Sequence, residues 1–104
     1  MSSVYKEQAK IFKAFCDDNR LRILELLRGG EKCACVLIDE LDISQSALSY
    51  HMKILVESGV VESWPVGKWM HYKISKKGRA DVIHLLQEVT RPNTMSEAPV
   101  CCKK

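Results

Sequence analysis

The chain has 104 residues, a formal net charge of +3 and 46% hydrophobic residues. That length fits one domain with a modest core, and no apolar run approaches the ~18 residues that cross a bilayer. The opening MSSVYKEQAK has no signal-peptide core, so a cytoplasmic protein without a membrane partner is expected, and the mild positive charge permits a nucleic-acid partner without requiring one.

Residues 4–16 are predicted helical, with Tyr5, Ala9, Phe12 and Cys16 on one stripe and Ile11 and Phe15 beside it. Cys16 on that stripe is expected to pack in the core. Asp17, Asp18 and Asn19 are cap and turn residues. They precede a second helix with Ile23, Leu24 and Leu27 apolar, which Gly29 and Gly30 stop. A short third helix covers roughly 34–41, with Leu37, Ile38 and Leu41 inward. Asp42-Ile43-Ser44 is a tight turn, and Ser44 is a good N-cap for a helix from Gln45 to Glu57, which Ser58 and Gly59 end.

The period then changes from helical to two. Val60–Trp64 and Trp69–Ile74 read as strands joined by a Pro65–Lys68 turn. Met70, Tyr72 and Ile74 share one face of the second strand, and Trp69, His71 and Lys73 the other. Such a two-stranded ribbon is stable only when packed on helices. Residues 76–90 form a last helix with Val82, Ile83, Leu86 and Val89 apolar. From Arg91 the pattern stops, which divides the chain into a domain of residues 1–90 and a Cys-containing tail of residues 91–104.

Helix, helix, short helix, turn, longer helix, hairpin and helix is the order of a winged helix-turn-helix, mainly α with a β-hairpin wing. At about 100° per residue, Leu48, Met52 and Leu55 fall on one arc of the longer helix and must face the core. Ser46, Ser49, Tyr50 and Lys53 fall on the opposite arc, with Gln45 at its edge. These side chains donate and accept hydrogen bonds, which is how base edges are read in the major groove. His51 lies on the core side of that arc and is expected to have a hydrogen-bond partner rather than to read bases. Lys68 at the wing turn, with His71 and Lys73 on the outward face, suits backbone phosphates. Double-stranded DNA is the expected partner.

Five cysteines are many for a cytosolic chain of this size, where clustered thiols more often serve metal or redox chemistry than disulfides. Four fall in two tight groups, Cys33/Cys35 and Cys101/Cys102. Thiolates favour soft metals. In a helix, residues i and i+2 point about 200° apart. Chelation by both Cys33 and Cys35 therefore requires their segment to be non-helical or to unwind. The spacing is not Cys-x-x-Cys, and no βαβ unit, phosphate loop or Ser/His/Asp arrangement is visible, so an enzyme is not expected.

The run EKCACVLIDELDISQSALSYHMKILVESGVVESWPVGKWMHYKIS, with FCDDNRLRILELL upstream, resembles the ArsR/SmtB family of metal-sensing repressors. The resemblance implies a homodimer built mainly from the first and last helices, which binds operator DNA without metal and releases it when metal binds. Gln45, Ser46, Ser49 and Tyr50 match positions the family uses on DNA. Cys33-Ala34-Cys35 resembles the E-L-C-x-C-D motif of the arsenite and cadmium/lead branches, with Lys32 and Val36 replacing the Leu and the Asp. Arsenite is the inducer this implies, with cadmium, lead, antimony or zinc, or thiol oxidation, as alternatives. Arsenite-binding members can place a third cysteine where this chain has Ile38, so the third ligand stays open. Cys101 and Cys102 offer one, in the same or the partner subunit, and a small thiol or hydroxide is the other route. The zinc and nickel branch uses ligands on the last helix. Asp81 and His84 lack the second pair that such a site needs and read as surface residues.

Overall fold

The computed structural model describes residues 3–93. Its order is α1 (Val4–Lys13), α2 (Asp18–Leu27), β1 (Lys32–Cys33), α3 (Ala34–Leu41), α4 (Gln45–Glu57), β2 (Val61–Val66), β3 (Trp69–Ile74) and α5 (Lys76–Val89). Each helix starts on a side-chain cap. Ser3, Asp17, Cys33, Ser44 and Ser75 accept from the backbone N–H groups of Tyr5, Asn19 and Arg20, Cys35, Ala47 and Gly78 respectively. Asp42 takes the left-handed conformation, φ 54°, and so turns the chain sharply from α3 into α4.

The core lies where α2, α3 and α4 meet the inner face of the sheet. Ile23, Leu27, Leu37, Leu41, Leu48, Met52 and Leu55 are buried there with Val60, Val61 and Tyr72. The periodicities of 3.6 in the helices and 2 in β3 put these side chains on one side of their elements.

The wing differs from the expected ribbon in two ways. It is a three-stranded antiparallel sheet of order β1-β3-β2, in which Lys32 pairs with Tyr72 and Cys33 with His71. The two-residue β1 is too short to carry a period, so alternation could not reveal it. The turn is also tighter than Pro65–Lys68. Val66 pairs with Trp69, leaving only Gly67 and Lys68 between the strands, and Gly67 supplies the positive φ of 64° that a two-residue hairpin needs. Pro65 is tolerated within β2 because β2 is an edge strand.

Helix α1 ends at Lys13, three residues before the expected end, and the chain bends so that Ala14 rather than Cys16 enters the core. Cys16 is exposed, its thiol donating to the Phe12 carbonyl at 3.5 Å. The expected core role of Cys16 is therefore wrong within the single chain. The apolar stripes of α1 and α5 also face outward: Tyr5 on α1, and Ile83, Leu86 and Val89 on α5, are exposed. Gly78 is the buried residue of α5, where the helix crosses the backbone of Gly59. No helix among the described residues is long and apolar enough to cross a membrane.

Candidate DNA interface and thiol site

Helix α4 presents the two arcs its sequence dictates. Leu48, Met52 and Leu55 are buried, whereas Gln45, Ser46, Ser49, Tyr50 and Lys53 are exposed together. Ser44 caps the helix from Oγ to the Ala47 N–H at 3.0 Å and lies 3.3 Å from Ser46 Oγ. The helix thus leads with hydroxyls and free N–H groups, the end that favours a phosphate. Tyr50 meets the His51 ring edge to face at 5.3 Å between centroids. His51 is buried, and its Nδ1 lies 3.1 Å from an Arg20 nitrogen. It has the expected hydrogen-bond partner and points away from the exposed face.

In the wing, Lys68 is exposed at the turn and Lys73 is exposed on the outer face, its Nζ 5.9 Å from the centre of the Trp64 ring. His71 is half-buried. Its Nδ1 lies 2.9 Å from Glu31 Oε2, and its ring is 6.3 Å from that of Trp64. A carboxylate only accepts, so Nδ1 carries the proton and donates. The partner Glu31 was invisible in the sequence, because nothing there shows that the segment before α3 joins the wing sheet.

The thiol motif straddles a junction. Cys33 is extended, φ −74° and ψ 147°, and closes β1, while Cys35 lies in the first turn of α3. Cys33 Sγ accepts from the Cys35 N–H at 3.3 Å. The Cys35 side chain beside it, helped by the N–H groups of Cys35 and Val36, holds the Cys33 thiol below the ordinary thiol range. The neighbouring Cys33 pushes Cys35 up. Cys33 lies outside the helix, so the pair is not the fully helical i, i+2 arrangement whose sulfurs point apart. Both side chains reach solvent.

Among the described residues no three His, Cys, Asp or Glu side chains stand close enough to hold one ion. Cys33 and Cys35 supply two donors. Cys101 and Cys102 lie outside the described residues. Asp81 pairs with Lys77 at 2.8 Å and His84 is exposed, in keeping with surface roles.

Comparison with known proteins places this geometry. Residues 17–63 match the family model described as bacterial regulatory protein, arsR family. An arsenical resistance operon repressor of Staphylococcus aureus is 38% identical over 97 residues, spanning 93% of this chain and 90% of that protein. The chain belongs to the ArsR family. An uncharacterised HTH-type transcriptional regulator of Methanocaldococcus jannaschii is 41% identical over 86 residues, covering 82% of this chain and 97% of that protein. In fold, this ArsR-family chain matches the homodimeric winged helix-turn-helix DNA-binding domain of a possible ArsR-family regulator from Mycobacterium bovis. The TM-score is 0.67 at 23% identity, covering 94% of this chain and 91% of that one. An ArsR-family member of this architecture is a DNA-binding transcriptional repressor, and not an enzyme.

Proposed function

We propose that this ArsR-family repressor is a homodimer that holds operator DNA and lets go when arsenite binds Cys33 and Cys35. The observation that carries the reading is the Cys33–Cys35 pair at the entrance to the helix-turn-helix, with Cys33 extended at the cap of α3 and its sulfur accepting from the Cys35 N–H. A pair of adjacent thiols with one of lowered pKa suits a soft, thiophilic centre. The arsenical resistance repressor of S. aureus, similar over nearly its whole length, supports that choice of inducer. In this reading Gln45, Ser46, Ser49, Tyr50 and Lys53 face the major groove, and Lys68, His71 and Lys73 face phosphates. The outward apolar stripes of α1 and α5 meet a second copy of the chain. Residues 1–90 form the DNA-binding and dimerisation domain, and the 91–104 tail brings Cys101 or Cys102 as third donor. The repressor works in the cytoplasm, where its operator is.

A thiol-redox trigger is the second reading, favoured by the same pair, because a lowered thiol beside a second thiol is poised for oxidation. Fluorescence anisotropy on operator DNA, titrated with arsenite anaerobically in reductant, separates the two. Wild type is expected to release DNA, and Cys33→Ser/Cys35→Ser to stay bound. Release that persists in a chain truncated after Ala98 would remove the tail from the site. DNA retained at every arsenite concentration, but released by oxidant, would overturn the arsenite reading in favour of redox sensing.

A further inference from the structure

Cys33 belongs to two structures at once. It is the cap and the first thiol of α3, and it is also the last residue of β1, paired with His71 in the strand that forms the body of the wing. Directly opposed residues of an antiparallel pair project from the same face of the sheet, with Cβ atoms ~5 Å apart. On the other side of β3, His71 pairs with Trp64 of β2. Cys33, His71 and Trp64 thus form one row across the sheet. Glu31, two residues before Cys33, binds the His71 ring. The thiol site is in this way connected to the wing by backbone pairing and by a side-chain contact, independently of its path through α3 to α4.

We propose that β1 transmits the state of the thiol site to the wing, with Glu31 and His71 as the positioning contact that makes the wing follow. This rests on the thiol-sensing reading above. When both sulfurs are held by one soft centre, the junction between β1 and α3 is fixed at a single geometry. A two-residue strand has no slack to absorb that change, so β1 shifts against β3. The Glu31 carboxylate carries the shift to His71, and through it to the outward face that bears Lys73 and Trp64. The wing then leaves its phosphate-binding position while α4 is displaced from above. A ligand can shift such an equilibrium only through a differential interaction with the two states, and the Glu31–His71 contact is one such difference.

The test uses the full chain with Glu31→Ala and Glu31→Gln. Glu31 lies outside both the thiol pair and the DNA-facing residues, and Gln retains a hydrogen-bond acceptor for His71. Three readouts are needed: operator affinity without ligand, arsenite stoichiometry from near-ultraviolet thiolate–arsenic absorption, and the emission of Trp64 in a Trp69→Phe background. Glu31→Ala is expected to bind operator within about twofold of wild type and to bind arsenite at the same stoichiometry. Its arsenite-induced loss of operator affinity should be smaller by up to about fivefold, the upper limit an exposed pair of this kind sets. The Trp64 response to arsenite should disappear, and Glu31→Gln should restore both. Full release by Glu31→Ala with an unchanged Trp64 response overturns the coupling and leaves arsenite sensing standing. Lost arsenite binding in Glu31→Ala also overturns it, because Glu31 would then act at the site itself. No arsenite absorption or release in wild type overturns the sensing reading and the coupling with it.

Discussion

The Arg20 guanidinium donates to Nδ1 of His51 across 3.1 Å of protein interior, tying α2 to α4. Arg20 is 6% exposed and His51 8%. The same guanidinium donates to the carbonyls of Lys13 and Ala14 at 3.2 and 3.1 Å, closing the open end of α1. Arginine has no acceptor, so His51 Nδ1 receives this bond and its proton sits on Nε2. One buried cation thereby joins α1, α2 and α4.

Arg20→Met should therefore cost roughly 2–4 kcal/mol, since it strands the buried Ala14 carbonyl, the part-buried Lys13 carbonyl and an imidazole nitrogen. Thermal unfolding at fixed protein concentration measures this, and a fall in Tm of more than about 8 °C is expected for a chain of this size. A Tm within 2 °C of wild type would show that water replaces the guanidinium.

Gly78 and Gly59 make a paired prediction. A Cβ on Gly78 would lie 1.7 Å from the Gly59 carbonyl oxygen, a backbone atom that cannot swing aside. Gly78→Ala must push α5 off the end of α4 and should cost about 3 kcal/mol or more, at the upper end of overpacking penalties. Gly59 has open space around it but a φ of 89°, so Gly59→Ala should cost only about 1–2 kcal/mol of backbone strain. Urea midpoints of the two variants give the order, and equal midpoints would remove the close approach as the cause.

The two motif thiols should react at different pH. A lowered pKa leaves Cys33 with more thiolate at neutral pH, and Cys35, raised by its neighbour Cys33, with less. The alkylation rate of Cys33 should reach half its plateau at lower pH than that of an ordinary thiol, and that of Cys35 at higher pH. In Cys33→Ser the Cys35 midpoint should move back down, because Cys33 is the main cause of its rise. Mass spectrometry of alkylated peptides across pH follows each site, and Cys35 reacting first would contradict that order.

The residues proposed to face DNA divide by what they would contact. Lys68→Ala and Lys73→Ala should each lower the slope of log affinity against log salt by about 0.9, as one phosphate contact does. Gln45→Ala should leave that slope unchanged and remove about 1–3 kcal/mol of discrimination at one base pair. Anisotropy across salt and across single-base operator variants distinguishes the two behaviours. A lysine variant with an unaltered slope would place that lysine off the DNA.

Much of this molecule is determined by sequence alone, and the reason is local. The arcs of α4 follow from a 3.6-residue repeat, so Leu48, Met52 and Leu55 had to turn inward and Ser49, Tyr50 and Lys53 outward. The caps at Asp17 and Ser44 follow from the need of helix N–H groups for nearby oxygens. Arg20 shares the buried stripe of Ile23 and Leu27, but its partner His51 lies on a distant helix that only the fold brings near. Tertiary structure alone decided where β1 goes. Two residues carry no period, and their pairing with Tyr72 and His71 arises because α2 and the turn at Gly30 deliver Lys32 and Cys33 to the open side of β3. That placement lets Cys33 stand outside the helix, accept from the Cys35 N–H, and share a sheet row with His71. None of this is encoded within Cys-Ala-Cys, because the partners lie in distant parts of the chain that only the packed core brings together.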